Sequence, residues 1–184
     1  MLIMKNTFVL LGLVFAIVSC QKVEKIPEDH SITTIYLIRH AEKDRSDKEN
    51  KDPELTEEGK QRAERWAEVF GLSKMDAVYS TNYQRTLQTA APTAMRNGLE
   101  IQTYEPNNLN IDSIATVHEG ERILIVGHSN TTPMLVNRAL GEERFEWIED
   151  TVNGNLFVLT ITPSIKGVQV LSIEWFTESV DKLK

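Results

Sequence analysis

Apolar runs and helix-like stretches alternate along most of this chain. Four short runs rich in branched aliphatic residues predict buried strands. These runs occupy residues 34–38, 76–80, 101–104 and 122–127. Between and after them, apolar residues recur at helical spacing, which predicts helices. The predicted helices begin after Thr56, span 83–97, span 111–117 and begin after His128. Pro92 falls inside the second of these helices and is expected to kink or break it.

The helix after Thr56 has the clearest start and stop signals. Thr56 suits the N-cap, two glutamates follow in the first turn, and Gly71 is expected to end the helix after about four turns. We expect Thr56 to serve as a cap and Gly59 to serve packing, and neither to contact a substrate.

The last part of the chain changes from helical to strand-like patterning. Residues 155–162 and 168–176 are rich in β-branched and aromatic residues, and a Pro- and Gly-containing segment joins them, which predicts an antiparallel hairpin. Together these elements predict an α/β fold: a three-layer sandwich with a mostly parallel central sheet, helices on both faces and a C-terminal antiparallel hairpin. A length of 184 residues suits one such domain.

The amino terminus has the pattern of a targeting signal. Lys5 precedes an almost wholly apolar run at 8–18, too short for a comfortable transmembrane helix, and the run closes on Ile17-Val18-Ser19-Cys20. This ending resembles a bacterial lipoprotein lipobox, which implies cleavage before Cys20 and acylation of its thiol. An uncleaved anchor and an ordinary secretory signal are the alternatives.

The predicted organisation follows from that signal. It consists of a signal peptide at 1–19, a lipidated cysteine and tether at 20–32, one domain at 33–178 and a tail at 179–184. We therefore expect a protein of the bacterial cell envelope, held to the membrane by a lipid anchor and facing the periplasm or the cell surface. Its oligomeric state is left open.

Charge and cysteine content narrow the partners. The formal net charge is −7 and the sequence pI is about 5.2, so nothing supports a general nucleic-acid binder or a basic membrane-binding surface. Cys20 is the only cysteine in the sequence and has no disulfide partner within the chain.

Two apolar runs end in a histidine. Arg39-His40 follows the run at 34–38, and Gly127-His128 follows the run at 122–127, just before a predicted helix. Ligands of parallel sheets sit beyond the carboxyl ends of the strands, where helix amino termini favour anions. The two histidines therefore predict a single site with an anionic ligand.

Four motifs in order along the chain resemble the histidine phosphatase superfamily, also called phosphoglycerate-mutase-like. They are LIRH at 37–40, LTEEG at 55–59, STNYQRTLQTA at 80–90 and GHS at 127–129. The resemblance implies that His40 attacks phosphorus and becomes a phosphohistidine, while Arg39, Arg85 and His128 surround the phosphoryl oxygens. Arg85 as a solvent-facing helix residue is the plainer alternative.

The proton donor is the least defined member of the predicted site. Larger relatives carry a glutamate between the second arginine and the second histidine, and Glu105 is the nearest match in order. Glu42 is a second candidate, although it also fits a supporting loop residue. His30 and His118 match no motif and are excluded. A zinc site on the two histidines is disfavoured by the adjacent arginines, so no cofactor or metal is expected.

The short separation of Arg85 and His128 leaves little room for long insertions over the site. This favours hydrolysis and a short, SixA-like branch: a histidine acid phosphatase-like phosphomonoesterase. Export would make a small phosphorylated molecule or an envelope sugar phosphate the substrate. The alternatives are a lipoprotein that binds phosphorylated ligands without turnover and, less favoured, a phosphoglycerate-mutase-type phosphotransferase.

Overall fold

The computed structural model describes residues 31–173. The predicted signal peptide at 1–19, Cys20, most of the tether and the tail at 179–184 lie outside these residues. Within the described part, no helix has the length and apolar character needed to cross a bilayer.

A six-stranded mixed sheet forms the centre of the fold. Its strands are β1 (Thr33–Arg39), β2 (Ala77–Ser80), β3 (Ile101–Thr103), β4 (Arg122–Gly127), β5 (Asn155–Ile161) and β6 (Lys166–Ser172). The spatial order is β3-β2-β4-β1-β5-β6, with β1 to β4 parallel and β5 and β6 antiparallel additions. The predicted α/β class, the mostly parallel sheet and the C-terminal hairpin are confirmed.

Helices cover both faces of the sheet. They are α1 (Glu57–Gly71), α2 (Gln84–Asn97), α3 (Ile111–Val117) and α4 (Thr131–Leu140). Helices α1 and α2 contribute Trp66, Phe70 and Ala90 to one buried cluster, and α3 and α4 contribute Ile111 and Leu135 to the other. Apolar residues on both faces of β1 and β4 are therefore buried, as expected of central parallel strands.

The start of α1 shows why the LTEEG motif folds as it does. Thr56 caps the helix by accepting a hydrogen bond from the Gly59 amide. A Cβ at Gly59 would lie 2.2 Å from the carbonyl oxygen of Glu42, so only glycine permits this approach. Both residues therefore act in capping and packing, as the sequence predicted.

Three details of the predicted elements need correction. Pro92 does not break α2, which continues to Asn97 because buried alanines on both sides of the proline hold the helix against the core. Gly71 is the last residue of α1, and Leu72 is its C-cap. The second hairpin strand begins at Lys166, because Lys166 pairs with Ile161.

Candidate active site

Pairing of β1 with β4 places the two histidines together. The strands are parallel with Arg39 opposite Gly127, so the residues that follow them emerge at the same edge. The His40 amide donates to the Gly127 carbonyl at 2.9 Å, and the imidazole centroids of His40 and His128 lie 5.5 Å apart. The prediction that both end-of-strand histidines share one site is thus met by the geometry.

Arg85 reaches the same place from the first turn of α2. Its guanidinium carbon lies 4.4 Å from the centroid of the Tyr83 ring, and that ring packs edge-on against His128 at 5.2 Å. Arg85 is mostly buried, with 12% of its side chain exposed, so it is not the solvent-facing residue of the plainer alternative. Asp52, from the loop before α1, accepts hydrogen bonds from Arg85 and the Gln84 amide.

The His40 ring is held in one tautomer. Nδ1 lies 2.8 Å from the Ala41 carbonyl oxygen, which can only accept, so Nδ1 carries the proton and Nε2 keeps its lone pair. Burial lowers the pKa of His40 to about 3, with a further contribution from the charge of Arg39, and the bond to Ala41 opposes the shift. His40 is therefore a neutral nucleophile over the physiological pH range.

His128 is neutral for the same reasons. Burial lowers the pKa of His128 to about 4, and the charges of Arg85 and Lys43 add to the effect. Its Nε2 lies 2.9 Å from the hydroxyl of Thr81, which contacts the hydroxyl of Thr86. These threonines stand at the end of β2 and the start of α2, so both elements fix the ring.

A loop at 141–154 holds Arg39. The Arg39 Nη1 atom donates to the carbonyl oxygens of Glu149 and Val152, and Nη2 donates to Asp150, which also pairs with Arg45. Hydrogen bonds from Arg45 and from Arg39 lower the pKa of Asp150 to about 2. Arg39 is thereby fixed in a single orientation with 2% of its side chain exposed.

Two buried donors in this cluster are unused. Among residues 31–173, Nε of Arg39 and Nε of Arg85 have no hydrogen-bond partner. An unpaired buried N–H group is costly, and such groups in native proteins commonly serve a ligand. Two guanidinium donors beside a neutral imidazole suit a phosphoryl group.

The two carboxylates proposed as the acid have different surroundings. Glu42 is clamped by Arg62, whose Nε lies 2.7 Å from Oε1; burial alone would raise the pKa of Glu42, but the bonds from Arg62 outweigh it and the pKa falls. Glu42 is thus a supporting residue and not a proton donor. Glu105 is exposed just after β3, and in the described part of the chain its side chain bonds none of Arg39, His40, Arg85 and His128. Its role as the acid stays a prediction.

The site contains residues that the sequence alone did not single out. Tyr83 and Thr81 lie within the third motif, so their position beside Arg85 was the available signal. Asp150 had none, because its loop shows no periodicity and carries no motif. Within residues 31–173, no group of three or more His, Cys, Asp or Glu side chains is arranged to hold a metal ion.

Comparison with known families agrees with this geometry. Residues 35–106 match the Histidine phosphatase superfamily (branch 1), a segment that includes Arg39, His40, Arg85 and Glu105 and ends before His128. This segment therefore belongs to a histidine phosphatase superfamily domain. No curated protein matches the chain.

Several solved structures share the fold. A structure described as the phosphohistidine phosphatase SixA of Agrobacterium tumefaciens is 22% identical, with a TM-score of 0.56 over 76% of this chain and 98% of that one. A mycobacterial glucosyl-3-phosphoglycerate phosphatase is 16% identical, with a TM-score of 0.54 over 70% and 90%. An Entamoeba histolytica phosphoserine phosphatase variant in complex with phosphoserine is 18% identical, with a TM-score of 0.55 over 71% and 95%.

Proposed function

We propose that this protein hydrolyses phosphomonoesters through a phosphohistidine intermediate on His40. One observation carries the proposal: a buried, neutral imidazole lies among three groups that can bind phosphoryl oxygens. Phosphoryl transfer needs mainly alignment and charge stabilisation, and this cluster offers both.

In the first step, Nε2 of His40 forms a bond to phosphorus while the bond from phosphorus to the leaving oxygen breaks. The ring becomes cationic, and its Nδ1 proton is already directed at the Ala41 carbonyl, which stabilises that charge. In the second step water attacks phosphorus, the bond to Nε2 breaks, and inorganic phosphate and neutral His40 are regenerated.

Arg39, Arg85 and His128 stabilise the equatorial oxygens. The free Nε donors of both arginines are available to them, and each preorganised donor of this kind is worth roughly 3 to 4 kcal/mol in the transition state. Because the loop at 141–154 already holds Arg39, little reorganisation is needed when the phosphoryl group arrives.

The leaving oxygen must gain a proton, and Glu105 is the proposed donor. Its glutamine variant should lose activity most strongly with esters of poor leaving groups and least with p-nitrophenyl phosphate. Equal losses with both kinds of ester would remove Glu105 from this role.

The substrate is proposed to be a small phosphorylated molecule or a sugar phosphate outside the cytoplasm. This part rests on the lipobox-like Ile17-Val18-Ser19-Cys20 ending of the apolar leader. A Cys20→Ala variant should lose its lipid and leave the membrane fraction; a variant that stays lipid-modified would contradict the anchor.

A panel of phosphomonoesters tests the activity itself. The purified protein should release inorganic phosphate, and His40→Ala should abolish release while keeping the fold. Binding of the panel without turnover would favour the phosphoryl-ligand-binding lipoprotein, and migration of phosphate within a substrate, seen by phosphorus NMR, would indicate a mutase.

A further inference from the structure

A cavity of about 630 Å³ lies between α4 and the loop at 141–154. Asn130 and Asn137 line it on one side, and residues 143–147 line it on the other. Its size falls within the range of small-molecule binding sites, about 300 to 1,000 Å³.

The cavity adjoins the phosphoryl-binding cluster at both of its walls. Asn130 lies two residues after His128, and Trp147 lies two residues before Glu149, whose carbonyl accepts a bond from Arg39. The Ile148 amide donates to the Ser129 carbonyl at 2.8 Å and ties the walls together. At roughly 3.5 Å per residue, each wall begins within about 7 Å of the cluster.

Internal bonds make the loop wall rigid. Asn137 is 4% exposed, its Oδ1 accepts from the Arg144 and Phe145 amides, and its Nδ2 donates to the Glu143 carboxylate. A wall fixed in this way is preorganised for a ligand.

The lining of the cavity differs in chemistry from the phosphoryl-binding cluster. Trp147 is 76% exposed and offers a large flat ring, while Asn130, Glu143 and Glu146 offer groups that bind hydroxyls. Two carboxylates stand against the one guanidinium of Arg144, so the lining repels a second anionic group. An uncharged ring bearing hydroxyls fits this combination.

We propose that this cavity is the leaving-group subsite, and that it takes the uncharged, hydroxylated ring of a sugar monophosphate, with Trp147 as the specificity-determining residue. The inference rests on the proposed function, because the phosphoryl group of the same molecule would lie at His40. A sugar bisphosphate would place its second phosphate among the carboxylates and would be a poorer substrate.

The test compares two alkyl esters that differ in the ring, hexose 6-phosphate and methyl phosphate, using the full chain purified in detergent. Trp147→Ala should lower kcat/KM for hexose 6-phosphate about tenfold and leave methyl phosphate within about twofold, because aromatic contacts contribute on that scale. Trp147→Phe should retain most of the preference. Leu72→Ala, which removes an exposed apolar side chain in the turn after α1, is the matched control and should change neither value.

Equal losses for both esters, or no loss with hexose 6-phosphate, would overturn the subsite. Calorimetry separates this failure from failure of the proposed function. If the wild type hydrolyses neither ester, the phosphatase proposal fails, yet hexose 6-phosphate should still bind more tightly than inorganic phosphate and lose that advantage in Trp147→Ala. The absence of any such advantage would refute the subsite on its own.

Discussion

His40 combines burial with a fixed proton. Its ring is 3% exposed, Nδ1 is committed to the Ala41 carbonyl, and the neighbouring arginines oppose a second proton. The same arginines that attract a phosphate dianion therefore keep the nucleophile's lone pair available. Binding and nucleophilicity come from one arrangement of charges.

This environment predicts how the two site histidines titrate. Because burial and nearby positive charge lower the pKa of His40 to about 3 and of His128 to about 4, both imidazoles should stay neutral at pH 5. NMR titration of labelled histidine side chains measures this. Arg85→Gln should raise the midpoint of His128, since Arg85 is its strongest charged neighbour. A midpoint near the ordinary 6.5 for either ring would contradict the site's electrostatics.

At this scale the sequence predicted the reacting residues but not all of their supports. Arg39, His40, Arg85 and His128 stand in motifs at the ends of strands or the start of a helix, where pattern and position agree. The anchor of Arg39 by Asp150 could not be predicted, because the contact joins residues far apart in sequence through an aperiodic loop.

Elements position the site through a few close approaches. The Glu42 carbonyl accepts from the Thr56 amide and lies against Gly59, so the start of α1 fixes the segment that follows His40. The Ala41 amide donates to Thr89, whose hydroxyl donates to the Arg85 carbonyl, so α2 fixes the same segment from the other side.

Gly59→Ala tests the packing between α1 and this segment. The added Cβ would lie 2.2 Å from a backbone oxygen, so we expect a loss of about 1 to 3 kcal/mol in the free energy of unfolding together with reduced activity. Gly71→Ala is the matched control in the same helix: its Cβ would meet nothing within 4 Å, and stability should be unchanged or slightly raised. Denaturant unfolding of the two variants decides, and equal effects would contradict the argument.

Elements differed in how well their patterns predicted them. Strands β1 and β4 are continuous apolar runs buried on both faces, so hydrophobicity alone located them. Helix α2 kept its course through Pro92 because tertiary packing outweighed one lost backbone hydrogen bond. The loop at 141–154 has no local signal, since bonds from Arg39 and Asn137 give it its shape.

The topology of the whole molecule brings the site together. Strand order places β4 between β2 and β1, so segments separated by tens of residues meet at one sheet edge. Alternating strands and helices predicted the class of this architecture, while the antiparallel insertion of β5 beside β1 depends on long-range pairing.

Acid should weaken the fold through the two site histidines. In the unfolded chain they take up protons near pH 6.5, but in the folded protein only near pH 3 to 4. Between these limits the unfolded state binds more protons, so stability is fully present above pH 6.5 and falls as the pH drops, by at most about 1.4 kcal/mol per pH unit for each histidine.

Urea unfolding at several pH values between 7 and 4 measures this slope. The double variant His40→Gln, His128→Gln should show a distinctly flatter dependence than the wild type over that range. Identical slopes for the two proteins would show that other groups control acid unfolding.

Trapping of the covalent intermediate tests the central claim most directly. Wild-type protein is mixed with a radiolabelled phosphomonoester, denatured within the first turnover, and its label is located by peptide mass spectrometry. The account predicts an acid-labile, base-stable phosphoryl group on His40, which should be absent from His40→Ala. Label on another residue, or phosphate release by His40→Ala at the wild-type rate, would contradict it.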